Sequence, residues 1–428
     1  MEQKQEEARI LKGDICYSTD KHTLKTYADS YLILEGGLVK GVFHEIPEQY
    51  RGAWMEDCTG HLIIPGLTDL HVHAPQYAFR GLKMDLELLD WLDTNTFPEE
   101  SKYKDLDYAR KAYNIFTDDL KRSGTTRASV FATIHIPATE LLMQLLSDAG
   151  ISAYVGKVNM DRNSPDYLCE ESAMKSAMDT AEWLSKTQDA YPHVKPILTP
   201  RFIPSCTDEL MSMLSRIQKE FHVPVQSHLS ENLSEIDWVK ELMPESKFYG
   251  DAYNRFDLFG GDVPTIMAHC VHSSPEEIKL MKEKGVFIAH CPQSNENLTS
   301  GAAPVRLYLD EDMNIGLGTD VAGGANLSIF RAMTDAIQVS KLRFRLLGNQ
   351  LKPITMEEAF FMGTKGGGSF FGKVGSFEEG YEGDLLVLDE SKIPHPQELN
   401  LKDRLERFLY LSGDEGVVHK YISGRKLF

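Results

Sequence analysis

No apolar run in this chain is long enough to cross a bilayer, and its opening stretch, MEQKQEEARILKGD, is polar and acidic. Neither a secretory signal nor a membrane-spanning helix is expected, and a cytoplasmic setting is the default. Basic residues are in deficit: 45 Lys and Arg stand against 64 Asp and Glu, a formal net charge of −19. Nucleic-acid binding needs phosphate neutralisation, so this balance argues against it and favours a small neutral ligand. Cysteine is scarce, six in 428 residues without a close CxxC pair, which argues against a disulfide framework. Cys206, Cys270 and Cys291 lie near candidate site segments and read as buried filler. Phosphate-cradle signatures are missing too: no GxGxxG follows an early strand, and GTKGGGSFFGKVG lacks P-loop spacing and reads as a connecting loop.

What is present is a large core with a regular rhythm. A hydrophobic content of 42% with 25% charged residues describes a folded chain, long enough for one catalytic domain and a smaller one. Residues 8 to 59 hold short strand-like pieces such as YLILEGG and KGVFHEI without helical crossovers, the pattern of a small β-rich unit. From Leu62 onward, eight strand candidates follow: IIPGLTDLHVH, TTRASVFATIH, SAYVGKVNM, KPILTPRF, PVQSHLSE, TIMAHCVH, VFIAHCPQ and IGLGTD. Amphipathic segments such as DYARKAYNIFTDDLKRSG and TDELMSMLSRIQKEF separate several of them. Eight strands with helical connections predict a closed TIM-like (β/α)8 barrel in the α/β class rather than an open sheet. The late FGKVGSFEEGYEGDLLVLDE returns to short β pieces and is expected to pair with the early ones. The expected division is therefore 1–61 and 376–428 for an accessory domain built from both chain ends, and 62–375 for the barrel.

Polar groups gather where such strands end, which is where barrels assemble their chemistry. His71 and His73 alternate along LTDLHVHAPQ and can face one ion. His228 in QSHLSEN and Asp320 in GLGTD can add an imidazole and a carboxylate from other strands, completing a ligand set for Zn²⁺. Alone, His228 is as readily structural and Asp320 is more readily a turn residue; their recurrence at strand ends favours ligation. Glu231, three residues after His228, has the carboxylate chemistry to move a proton from water to a leaving amine. His269 has two open roles, ligating a second ion or orienting the attacking water. His272 and His290 read as loop-packing residues.

The combined order of PGLTDLHVHAPQYAFRG, LLDWLDTNTFPEES, LTPRFIPSC, QSHLSEN, IMAHCVH, IAHCPQSN and GLGTDVAGG resembles the guanine-deaminating branch of the amidohydrolase superfamily. The resemblance implies a barrel with an accessory domain, a homodimer, and an aminohydrolase that converts guanine to xanthine and ammonia by zinc-activated attack of water at C2. It implies His71, His73, His228 and Asp320 as metal ligands, Glu231 as proton carrier, and His269 and Asp320 as catalytic partners. It further implies that Gln76, Trp91, Arg201 and Phe202, together with Glu231 and His269, contact the purine. Gln76 and Arg201 supply hydrogen-bonding groups and the two aromatics supply flat apolar faces; taken singly, each also has an ordinary structural reading. Binuclear members carry a carboxylated lysine on the fourth strand, where this chain has LTPRF; Lys157 lies on the preceding strand and reads as structural, so one Zn²⁺ per subunit is expected. The HxE and PCxxC arrangement of the unrelated nucleobase deaminases is missing. Two other readings stay open: an aminohydrolase or chlorohydrolase acting on another heterocycle, and a zinc-stabilised scaffold without catalysis.

Overall fold

A computed structural model describes residues 8–428; residues 1–7 of the expected 1–61 segment lie outside the described residues. Two four-stranded parallel sheets follow one another in the chain, Leu67–His73, Thr125–Phe131, Ser152–Gly156 and Val194–Pro196, then Val225–Leu229, Thr265–His269, Phe287–His290 and Ile315–Leu317. The Leu198–Val225 bridge joins the two halves on one side. On the other, the amide of His73 donates to the Val321 carbonyl and that of Asp320 to the His71 carbonyl, at 3.1 and 2.8 Å. All eight expected strands are present, and the (β/α)8 barrel is closed.

The first and second barrel strands are buried at every residue, as expected of parallel strands covered on both faces. Leu70, Ile197, Ile266, Ala268, Ala289 and Cys291 form one inward cluster, while Ala109, Ala112, Tyr113, Phe116 and Leu120 of the helix Leu106–Arg122 join the outer core. That helix starts where its sequence says it should: the Asp105 carboxylate accepts from the amides of Asp107 and Tyr108, satisfying two otherwise unpaired donors.

Both chain ends build a seven-stranded sheet in which Leu385–Leu388 pairs antiparallel with Trp54–Pro65. The stretch IIPGLTDLHVH, expected as one strand, divides at Gly66: Trp54–Pro65 belongs to this sheet and Leu67–His73 to the barrel. Only glycine fits that joint, since a Cβ there would lie 2.3 Å from Thr126 Oγ1. The glycine-rich GTKGGGSFFGKVG is more than a connecting loop. The helical turn Met362–Gly366 runs into it, a second at Ser369–Phe371 lies within it, and it puts Phe370 into the inward cluster. No helix among the described residues is long and apolar enough to cross a membrane.

Candidate metal centre and pocket

Four imidazoles and one carboxylate meet at the ends of the barrel strands. His71 Nε2 lies 3.2 Å from His73 Nε2 and 3.1 Å from Asp320 Oδ1, and His73 Nε2 lies 3.3 Å from His228 Nε2 and 3.4 Å from Asp320 Oδ1. His269 Nε2 stands 3.7 Å from Asp320 Oδ2 and 3.4 Å from Glu231 Oε2. The backbone supports this convergence through left-handed turns, with φ +74° at His269, +47° at Asp320 and +47° at Ser230, next to Glu231. Such conformations cost energy in non-glycine residues and persist where the surrounding structure imposes them.

The donor set suits a single divalent ion. His228 Nδ1 donates to the Arg201 carbonyl at 2.6 Å and His269 Nδ1 to Asn295 Oδ1 at 2.9 Å, which leaves each Nε2 with a lone pair aimed at the cluster. Burial, and then the neighbouring His71, hold His73 and His228 well below the usual imidazole range, so both are neutral. Burial alone would raise the Asp320 carboxyl, but His71, His269 and His73 hold it well below the carboxylate range. Neutral imidazole nitrogens facing one another at 3.2–3.3 Å beside a carboxylate are the donors a metal ion takes. Cys291 also lies within reach of His269 and Asp320, but its thiol is pushed well up by burial and its Sγ faces the Ala289 carbonyl.

Asp69 fastens together the strand end that carries His71 and the one that leads into Asp320. Its carboxylate accepts from the Thr319 amide and hydroxyl and from the His71 amide, at 3.0, 2.5 and 3.1 Å. Glu231 sits at the entrance to the helix Leu233–Leu242, on a turn held by a capping box between Asn232 and Glu235. Glu235 accepts from the amide of Glu231 and from the Tyr249 hydroxyl. Burial, followed by the charge of Asp320, pushes the Glu231 carboxyl well above its ordinary value, while the Ser300 hydroxyl, donating at 3.2 Å, opposes the shift. His272 donates to the Ser300 carbonyl and so anchors the segment that meets Glu231. His290 is fully buried with neither ring nitrogen partnered by protein, and Lys157 is buried against Glu170 and Ser176.

A pocket opens directly over the cluster. His73, His228, Glu231, His269 and Asp320 form its polar end, Trp91 and Phe202 its aromatic walls, and Gln76 and Arg201 a second polar edge. His71 lies deeper and is fully buried. Every site residue expected from the sequence is thus gathered at one place. Residues without an expected role also stand there: Leu88, Leu92 and Leu298 line the apolar wall, and Glu100 pairs with Arg201. Glu100 belongs to LLDWLDTNTFPEES, a stretch that carried the resemblance without a role being assigned to its acids.

The amidohydrolase family model matches residues 62–427. The guanine deaminase of Dictyostelium discoideum is 42% identical over 379 residues, 87% of this chain and 83% of that protein. The guanine deaminase of Homo sapiens is 38% identical across 98% of this chain and 96% of its own. Among solved structures, the guanine deaminase from C. acetobutylicum with guanine bound in its active site superposes with a TM-score of 0.96 at 47% identity, covering 98% of this chain and all of the other. With the barrel, the converging imidazoles and these matches together, the chain belongs to the amidohydrolase family.

Proposed function

We propose that this protein is a guanine deaminase that hydrolyses guanine at C2 to xanthine and ammonia. The observation that carries the proposal is the continuity of the pocket: the Glu231 carboxylate, a cluster of possible metal donors, the aromatic Trp91 and Phe202 and the polar Gln76 and Arg201 share one space. The activity named for relatives that match nearly the whole chain points the same way.

His71, His73, His228 and Asp320 would hold one Zn²⁺. A divalent ion bound there lowers the pKa of water and acts as a Lewis acid beside the reacting carbon. The chain's own groups do the rest. Glu231, a buried carboxylate that lines the pocket 3.4 Å from His269 Nε2, takes a proton from the attacking water and returns it to the departing amine. His269, oriented through Asn295, aligns that water, its Nε2 accepting a hydrogen bond from it beside the Asp320 carboxylate. Trp91 and Phe202 hold the ring by its faces, while Gln76 and Arg201 read its heteroatom edge. The Arg201–Glu100 pair is neutral overall, as suits a neutral base. The proposal extends to a homodimer in the cytoplasm, as the family resemblance implies.

Glu231→Gln is the test. The amide keeps the size and the Ser300 contact but cannot shuttle a proton. We expect kcat for guanine to fall by about 10²–10⁴, with bound metal unchanged. Near-normal turnover in a correctly metallated variant would remove the assigned role.

A further inference from the structure

We propose that Glu100 is a positioning residue that fixes how the pocket presents its hydrogen-bonding edge to the base. The inference rests on the reading of Gln76 and Arg201 as base contacts. Glu100 comes from the short helical turn Phe97–Glu100, beyond the segment whose Leu88, Trp91 and Leu92 wall the pocket. Its side chain is almost wholly buried, 2% exposed, and it meets the equally buried Arg201 through two bonds: Nη1 to Oε2 at 2.6 Å and Nη2 to Oε1 at 3.2 Å. Phe97, on the same turn, lies against the guanidinium with 5.4 Å between its ring centroid and Cζ. One turn of chain therefore sets both the plane and the direction of Arg201. A guanidinium held at two donors keeps three N–H groups in a fixed fan for a ligand.

The same carboxylate also settles the orientation of Gln76. Gln76 Nε2 donates to Glu100 Oε1 at 3.0 Å, and Gln76 Oε1 accepts from the Ala322 amide at 3.2 Å. A carboxylate only accepts and a backbone amide only donates, so the side-chain amide has one permitted orientation. What remains for a ligand is one N–H and one lone pair in known places. Glu100 does not line the pocket; it acts through Gln76 and Arg201, which do. Its loss should consequently weaken guanine binding more than it slows the chemical step. A glutamine at position 100 keeps the volume, drops the charge-assisted bonds to Arg201, and can donate as well as accept, so Gln76 no longer has a single orientation.

The experiment is steady-state turnover of guanine by the zinc-loaded full chain carrying Glu100→Gln or Glu100→Asp, with bound zinc and melting temperature measured on the same samples. For Glu100→Gln, KM should rise by about tenfold or more, the range expected for lost charge-assisted bonds. Its kcat should stay within about threefold, and zinc per chain should stay at the wild-type level. Glu100→Asp, which keeps the carboxylate one methylene short, should fall between the variant and the wild type. An unchanged KM in Glu100→Gln overturns the proposal, as does a loss of kcat and zinc together, the signature of a merely structural role. Should Glu100→Gln fail to fold, Glu100→Asp decides: a raised KM at unchanged kcat supports positioning, and a wild-type KM or failure to fold overturns it. A wild-type protein that leaves guanine untouched rejects the parent reading instead.

Discussion

Replacing Arg127 by Met tests how the two chain ends are joined to the barrel. Arg127 lies on the second barrel strand, and its guanidinium bonds Asp384 through Nε at 2.7 Å and Nη2 at 2.9 Å, with Glu382 Oε2 at 2.5 Å. The arginine side chain is 8% exposed and that of Asp384 0%, so water screens the pair little. Burial by itself would weaken the hold of the guanidinium on its proton, but Asp384 and Glu382 outweigh it and move the pKa upward. Methionine leaves Asp384 buried without its cation, a situation that costs about 3–5 kcal/mol. Replacing both partners, Arg127→Met with Asp384→Leu, removes the stranded charge, and the cycle should show a coupling of about 2–3 kcal/mol. Urea unfolding at fixed zinc concentration, followed by circular dichroism, measures each corner of the cycle. A single-variant cost below about 1 kcal/mol, the level of an exposed ion pair, would refute the reasoning.

Two further predictions concern the metal and pH. His228→Ala should weaken zinc binding by at least about 100-fold, abolish guanine turnover and leave the metal-free fold intact; competition with a chromogenic chelator reads the affinity, and wild-type binding would remove His228 from the ligand set. Burial, then the charges of Lys104 and Lys157, depress His135 to about 4, below its unfolded value. The unfolded chain therefore binds a proton that the folded chain refuses, and stability falls as pH drops from about 6.5 toward 4. Discounted for the partial solvent contact of the ring, the loss is about 1–2 kcal/mol, and His135→Gln should abolish it; a wild-type to variant difference that stays constant from pH 7 to pH 4.5 would contradict this, within about the error of denaturant extrapolation.

The convergence of the proposed metal ligands was legible because each lies in or just after a short apolar run: His71 and His73 in LTDLHVH, His228 in PVQSHL, and Asp320 after IGLGT. Strand ends of a barrel converge, so order along the chain was enough to gather them. Glu100 was not legible, because local pattern describes an acid in PEES as a solvated surface residue. Its burial depends on Arg201, 101 residues away. Asp69 was hidden for a similar reason: its partner Thr319 is 250 residues distant. The helix Ala173–Thr187 did not stand out because Ala173, Ser176, Ala177 and Thr180 supply much of its buried face, leaving a weak apolar stripe. Gly66 reads as a turn signal inside a strand, yet what it resolves is the close passage of Thr126.

The most direct test restores zinc stepwise to metal-depleted protein while guanine loss and xanthine formation are followed together. Xanthine formation should rise in proportion to added zinc and level off at one ion per chain, with one xanthine appearing for each guanine consumed. Full activity in the metal-free protein, a plateau only at two ions, or no xanthine at any occupancy would contradict a single ion and Glu231 acting together on guanine.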